Sequence, residues 1–342
     1  MLKSCILGCG GRAKGHLRAY EFVENGKMAA ICDMDEQRLQ ERADEFGIET
    51  RYTNYQEMLE KEKPDVLHIV TAPIWRVDVM SIAAEFEVPV VIVEKPIGLE
   101  GGDYRQIKKL HETAKTRFVV NTQLHFHPRN MQLKQDVADG KIGEVRQIDA
   151  SARSTVVDQG VHVLELAQSY NGFSMPTRVF GNVSGLGTLP DKRQPSPDMA
   201  AAIVEFENGA RCQLMCGDTA PIVQAEGGKC SHKRISVYGT RGFVQWTMHG
   251  WERSTLEEGL ESGTHSYGEE DVRGQAALTD AAFAWSEDES KLHPTRLDNA
   301  LPKFNTILGM YVSALTNKPI DLPFDPPDGI LDDLRERFKE EA

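Results

Sequence analysis

Three groupings of residues in this chain have the types and spacing to do chemistry. Lys3-Ser-Cys-Ile-Leu-Gly8-Cys-Gly10-Gly11-Arg12-Ala13 runs from an apolar strand into a glycine turn that opens a helix, which suits a dinucleotide pyrophosphate. Gly8 allows the tight turn, Gly10 lets the backbone approach the phosphates, and small Ala13 lets the helix pack on the strand. The next apolar run, Met28 to Cys32, ends at Asp33, where a ribose diol is expected. Glu94-Lys95-Pro96 closes the apolar run Val90 to Val93. Ligands of open α/β sheets bind at the carboxyl ends of strands, so Lys95 is expected in the cofactor crevice with its ammonium beside the nicotinamide. The plain alternative is a surface lysine at a strand end. Asp158-Gln-Gly160-Val-His162 opens an apolar helix, and helical spacing puts Asp158 and His162 one turn apart on one face. A carboxylate so placed orients an imidazole and raises its basicity, as a general base taking a hydroxyl proton during hydride transfer requires. The same pair also reads as a helix cap with a packed neighbour.

The elements that must position these residues come in two styles. After Asp33, Leu39, Ala43 and Phe46 recur at helical spacing up to a stop at Gly47, and Asn54 caps a helix over Tyr55 to Glu62 that Lys63-Pro64 ends. Strands at 66–70, 90–93 and 118–121 alternate with helices around 79–87 and 104–116, which predicts a doubly wound parallel α/β sheet of about six strands. From Gln123 the pattern changes to one amphipathic helix, 128–139, followed by alternating strands and hairpin turns. This predicts an α+β domain with a mostly antiparallel sheet, and domains at 1–122 and 123–342. The clearest hairpin joins Ala201–Glu207 to Ala210–Met215 through Asn208-Gly209, read as a type I′ turn; a second joins Ile235–Gly239 to Gly242–Trp246. The stretches Gly187–Pro197 and Glu257–Arg273 carry no apolar period and are read as loops.

Composition sets outer bounds. The 342 residues, 40% hydrophobic and 27% charged, provide for two domains with proper cores. No apolar run is long enough to cross a bilayer, and the chain opens directly into a strand, so neither membrane insertion nor secretion is expected. The six cysteines include no Cys-x-x-Cys and lie mostly in apolar strands, which fits reduced thiols and a cytoplasmic protein. A net charge of −13 without a basic stripe makes nucleic acid a poor partner, and none is expected. It leaves a small-molecule substrate that is neutral, or an anion held by a local cluster.

With the groupings in this order, the chain resembles the glucose-fructose oxidoreductase and inositol dehydrogenase family, Gfo/Idh/MocA. Besides the three groupings, the resemblance rests on Asp35 and Arg38 after Asp33, Tyr52-Thr53-Asn54-Tyr55 before Met58-Leu59, Thr71-Ala-Pro73, and the closing stretch from Phe304 through Ser313-Ala314 to Pro323. It implies a Rossmann domain plus a second domain whose open sheet face forms the subunit interface of a homodimer or homotetramer. It also implies oxidation or reduction of a sugar or polyol secondary alcohol by nicotinamide. It maps His162 to the general acid/base, Asp158 to its orienting partner, and Lys95 to a donor that binds the substrate oxygen and shares the proton relay. Cofactor binding falls to Gly8, Gly10, Gly11, Arg12, Ala13, Asp33, Arg38, Thr71, Pro73, Trp75, Glu94 and Lys95. Asp33 favours NAD because its carboxylate repels a 2′-phosphate, while Arg38 leaves NADP open.

The chain departs from that family in the short segment between Gly143 and Asp158, in Pro73-Ile-Trp75-Arg76 where a histidine is common, and in His125 where arginine is frequent. Trp75 either packs near the nicotinamide or is a buried structural residue. His125 and His127 alternate as metal ligands can, but no second ligand pair accompanies them, so no metal is expected. Two other functions compete: an NAD-retaining enzyme that uses transient oxidation to cleave a glycoside or epimerise a sugar, and a non-catalytic sensor of sugar or dinucleotide.

Overall fold

Strands buried on both faces can be near-continuous apolar runs, and a parallel sheet covered by helices is where such runs are stable. The computed structural model, which describes residues 1–340 except 192 and 226, builds that sheet first. The chain runs β1 (Leu2–Leu7), α1 (Ala13–Ala19), β2 (Gly26–Cys32), α2 (Glu36–Phe46), β3 (Arg51–Tyr52), α3 (Tyr55–Glu62), β4 (Val66–Ile69), α4 (Arg76–Glu85), β5 (Val90–Glu94), α5 (Gly101–Thr113) and β6 (Arg117–Asn121). All six strands pair in parallel in the order β3-β2-β1-β4-β5-β6, and every residue of β4 and β5 is buried. The strand order reverses between β1 and β4, so a crevice opens at their carboxyl ends, where open α/β sheets bind ligands. Local signals act as their chemistry predicts: Asn54 accepts from the backbone N–H groups of Gln56 and Glu57, and Gly47 ends α2 in the left-handed region at φ 65°.

The second sheet follows α6 (Pro128–Ala138). Its elements are β7 (Val145–Ala152), α7 (Val161–Tyr170), β8 (Pro176–Ser184), β9 (Met199–Phe206), β10 (Arg211–Cys216), β11 (Lys233–Gly239), β12 (Gly242–Thr247), β13 (Gly250–Thr255) and β14 (Gly259–Thr264). The chain closes with α8 (Tyr267–Glu287), α9 (Leu297–Thr316), β15 (Ile320–Asp321) and α10 (Ile330–Glu340). The nine strands order as β14-β13-β12-β11-β7-β10-β9-β8-β15, and only β7 with β10 is a parallel pair. Burial alternates residue by residue along β8, β9 and β10, as in a sheet with one covered face. Every residue of α7 is buried.

The described residues form two compact units, one of 1–98, 106–126 and 268–298, the other of 99–105, 127–267 and 299–340. A single cut at 122/123 therefore misses a return crossing. Residues 268–287 of α8 belong with the first unit, where Leu278, Ala282, Phe283 and Trp285 pack on Val66, Val90, Ile92 and Val119. The contact is tight: a Cβ on Gly26 would lie 2.1 Å from the Phe283 ring.

Two further expectations are corrected. Glu257–Arg273 is no loop, since β14 and the first turns of α8 lie in it. β14 is a mostly exposed edge strand, so it has no need of an apolar alternation that a sequence could display. The Asn208-Gly209 hairpin is not type I′, because the positive φ falls on Gly209 alone (81°). Gly209 N–H donates to Phe206 O at 2.9 Å and Phe206 N–H to Ala210 O at 3.0 Å, which makes a three-residue loop with glycine in the left-handed position. The cysteines are free and buried except Cys230, which is exposed. No helix among the described residues is long and apolar enough to cross a membrane.

Candidate active site

The first unit holds the residues expected to bind the cofactor. β1 ends in a turn that only glycine can make: Gly8 has φ 98°, and a Cβ there would lie 2.5 Å from the Val70 carbonyl oxygen. A Cβ on Gly10 or Gly11 would meet nothing within 4 Å, so the space over the turn is open, as a backbone cradle for a pyrophosphate requires. Ala13 is fully buried in the core under α1. At the end of β2, Asp33 accepts from Cys9 N–H (2.7 Å) and Asp35 N–H (2.9 Å), and from Arg38 through Nε and Nη2, each 3.1 Å. Arg38 stands over the carboxylate from the solvent side, its side chain 44% exposed.

Past the end of β4, the buried hydroxyl oxygen of Thr71 has no hydrogen-bond partner among the described residues. Pro73–Trp75 then make a single 3₁₀ turn. Trp75 is 49% exposed, which removes the reading of a buried structural tryptophan. Arg76, which sequence reasoning passed over, is buried; its Nε and Nη2 donate to Thr71 O at 3.1 and 2.7 Å, and its Nη1 donates to Pro96 O. One guanidinium thus ties together the chain after β4 and the chain after β5, and burial pushes its pKa down to about 10.

Glu94, the last residue of β5, turns inward. It is 3% exposed and accepts from Arg12 Nε (2.6 Å), His16 Nε2 (2.9 Å), Asn121 Nδ2 (2.7 Å) and the backbone N–H of Lys95 (3.1 Å). Burial alone would raise its pKa, but the Arg12 charge and the His16 hydrogen bond prevail and hold the carboxyl well below its usual range. Its protein contacts make it an anchor joining the glycine turn, through Arg12, to the lysine. Behind it, His16 Nδ1 meets His68 Nδ1 at 3.0 Å, and His68 Nε2 meets the Tyr20 hydroxyl at 2.8 Å. Burial pushes both imidazoles down, His68 furthest.

The second unit holds Asp158 and His162, the residues expected to do acid/base work. Between β7 and α7 the backbone makes a π-helical turn over Val156–Gly160, with Gly160 N–H donating to Thr155 O at 3.2 Å. Gly160 is obligatory, since a Cβ there would lie 2.6 Å from Cys216 Sγ. The α-helical turn expected between Asp158 and His162 is therefore widened at its start, a distortion that recurs at functional sites. Asp158 Oδ2 accepts from Ser154 Oγ at 2.7 Å and Oδ1 from Gln159 Nε2 at 3.1 Å; Cys230 Sγ stands 3.9 Å from Oδ2. His162 lies at the start of α7, 4% exposed. Gln159 Oε1 accepts in turn from the ammonium of Lys233 at 2.9 Å. His125 and His127 separate between the units: the His125 ring lies 5.0 Å from Phe126, and the His127 ring 5.2 Å from Tyr267. Among the described residues no three His, Cys, Asp or Glu gather as a metal site would need.

Residues 2–122 match the model of an oxidoreductase family with an NAD-binding Rossmann fold, GFO_IDH_MocA, and residues 150–245 match the GFO/IDH/MocA C-terminal domain. D-apiose dehydrogenase of Paraburkholderia graminis is 25% identical over 234 residues, 63% of this chain and 60% of that protein. Myo-inositol 2-dehydrogenase of Thermotoga maritima is 22% identical over 255 residues, 70% of this chain and 73% of that protein. The matches span 60% and 64% of the length of two D-apiose dehydrogenases, under two thirds of each. Among solved structures, an Agrobacterium radiobacter oxidoreductase in complex with NAD+, L-tartaric acid and magnesium superposes with TM-score 0.80 at 20% identity, covering 94% of this chain and 98% of its own. Levoglucosan dehydrogenase in complex with NADH and levoglucosan superposes with TM-score 0.80 at 15% identity, covering 94% and 100%. These two likenesses establish the fold.

Proposed function

The chain belongs to the Gfo/Idh/MocA oxidoreductase family, and from that membership we propose that it is a dehydrogenase moving a hydride between NAD and a secondary alcohol of a sugar or polyol. One observation carries the reading: Asp158, four residues ahead of His162, is held by Ser154 and Gln159, and buried Glu94 holds the backbone N–H of Lys95, arrangements that a sensor of the same fold has no need to keep. The cofactor fits the residues present. The open turn at Gly8 to Gly11, the Thr71 hydroxyl and the Asp33 carboxylate would hold its pyrophosphate and riboses, with Pro73 and Trp75 at the same crevice. When bound, the nicotinamide supplies the hydride acceptor.

The chain's own groups do the rest. The His162 imidazole takes the hydroxyl proton of the alcohol as the carbonyl forms, and returns it in the reverse direction. Asp158 orients that imidazole and stabilises its protonated form, and Lys95 donates a hydrogen bond to the substrate oxygen and shares the relay. NAD is the preferred cofactor because Asp33 would accept its ribose diol and repel a 2′-phosphate, and Arg38 leaves a route to NADP. The relatives named for apiose, myo-inositol and xylose dehydrogenases support a neutral polyhydroxy substrate. The net charge of −13 supports a protein without nucleic acid partners, and its free, mostly buried thiols support the cytoplasm as its location.

Thermal unfolding with NAD, NADH, NADP and NADPH titrated separately tests the cofactor, since a ligand at a hundred times its Kd stabilises by about 2.7 kcal/mol. A shift with NAD and NADH is expected, followed by NADH release with a sugar or polyol from a screen. His162→Ala should lower that turnover by about a hundredfold or more. Cofactor-free protein that shifts with none of the four would end the oxidoreductase reading.

A further inference from the structure

We propose that Gln159 and Lys233 are positioning residues that hold Asp158 as an oriented carboxylate, through a hydrogen-bonded bridge whose polarity admits one arrangement. The inference rests on the reading of Asp158 as the partner of His162. An ammonium only donates and a carboxylate only accepts, so a side chain between them must accept at one end and donate at the other. Gln159 meets both demands: its Oε1 accepts from Lys233 Nζ at 2.9 Å and its Nε2 donates to Asp158 Oδ1 at 3.1 Å.

The ammonium is itself built in. Lys233 opens β11, is 2% exposed, donates also to Cys230 O at 2.6 Å, and stands 5.6 Å from the centre of the Tyr267 ring. A charge buried to this degree is costly unless it meets organised partners. The amide dipole carries its field to Asp158, whose second oxygen is fixed by Ser154 Oγ at 2.7 Å. The groups that meet Asp158 include Ser154 beyond β7, Gln159 on its own turn, the Cys230 thiol ahead of β11 and, through the amide, Lys233. With a donor on each oxygen the carboxylate is held against rotation, and both donors favour its ionised form.

The test compares Gln159→Leu, Gln159→Glu, Lys233→Met and Lys233→Arg for kcat, KM and the pH dependence of kcat/KM. Gln159→Leu and Lys233→Met should lower kcat about tenfold and move the acid limb up by about one pH unit, with KM for the cofactor nearly unchanged. Lys233→Arg should recover most of the loss, because it keeps a donor-only cation. Gln159→Glu keeps a partner for Lys233 but sets an acceptor against Asp158, and should move the acid limb furthest upward. Should Lys233→Met fail to fold, Gln159→Glu and Gln159→Leu carry the test, since each leaves the β11 lysine in place. An unchanged acid limb and kcat in folded Gln159→Leu and Gln159→Glu would overturn the inference. If His162→Ala lowers turnover about a hundredfold or more while the Gln159 variants leave kcat and the acid limb unchanged, only the bridge is wrong; if His162→Ala is also silent, the dehydrogenase reading itself has failed.

Discussion

At the residue scale, the proposed preference for NAD turns on one ion pair. Asp33 is 8% exposed and takes four hydrogen bonds, two of them from Arg38, whose guanidinium caps the carboxylate from solvent. A ribose diol must share or displace that guanidinium, whereas a 2′-phosphate would gain it as a partner while facing the carboxylate. Arg38→Ala should therefore weaken NADP about tenfold or more and leave NAD unchanged or tighter, read from the two Kd values by titration. Equal weakening of both cofactors would show that Arg38 serves only to shape the end of β2. Asp33 and Gly8 were legible from the sequence because their work is local, set by a strand, a turn and a helix in succession. His68, Arg76 and Lys233 were not. His68 meets His16 across 52 residues and Lys233 meets Gln159 across 74, and no local pattern marks a polar residue whose partner is that distant.

At the scale of elements, the alternation of strand and helix up to residue 121 was readable because both the apolar runs and the caps are local signals, Asn54 ahead of α3 among them. Turn geometry was not, since Asn-Gly serves two kinds of hairpin and strand register decides between them. Gly209→Ala tests the outcome. At φ 81° the substitution is strained although a Cβ there would meet nothing within 4 Å, so it should cost about 1 kcal/mol, read as a drop in denaturation midpoint. A silent substitution would mean that the loop relaxes. The packing of α9 gives a second prediction. Lys303, 5% exposed on α9, donates to Gln168 on α7 at 3.2 Å; burial pushes its pKa down to about 8, with Glu165 pulling the other way. An unfolded lysine titrates near 10.4, so between pH 8 and about 10.4 the unfolded chain holds more protons, and stability attributable to Lys303 must rise with pH across that window. Lys303→Met should flatten this rise by up to about 1.4 kcal/mol per pH unit and raise the midpoint at pH 7. Lys134 is pushed down to about 8 as well, so some slope should survive. Parallel curves for the variant and the parent from pH 7 to 10 would place the Lys303 charge in a solvated setting instead.

At the scale of the molecule, the second sheet exposes apolar side chains on one face, and its strand register lines them up. Phe180 pairs with Ile203, Ile203 with Gln213, Gln213 with Asp149, Asp149 with Ser236 and Ser236 with Gln245, so one row of side chains crosses six strands on the same side. Flanking rows place Met215 and Tyr238 on that side too, and Phe180, Ile203, Met215 and Tyr238 are 51%, 44%, 39% and 40% exposed. Apolar side chains repeated across adjacent strands form a patch of the kind monomers rarely leave in water. The patch also carries Arg234 paired with Asp149 at 2.5 Å and Arg211 with Glu205 at 3.2 Å, charges that a second copy related by a two-fold axis can meet with their complements. With −13 charges on each chain, association must draw on apolar contact and on such local pairs, and the long-range field opposes it. The protein should therefore be a homodimer or a homotetramer in light scattering at micromolar concentration. Ile203→Asp, in the row beside Phe180, should reduce it to a smaller species while each unit keeps its own core, so that NAD still raises the unfolding midpoint. A monomeric parent, or a variant of unchanged mass, would show that the exposed row is not the surface through which copies of this chain associate.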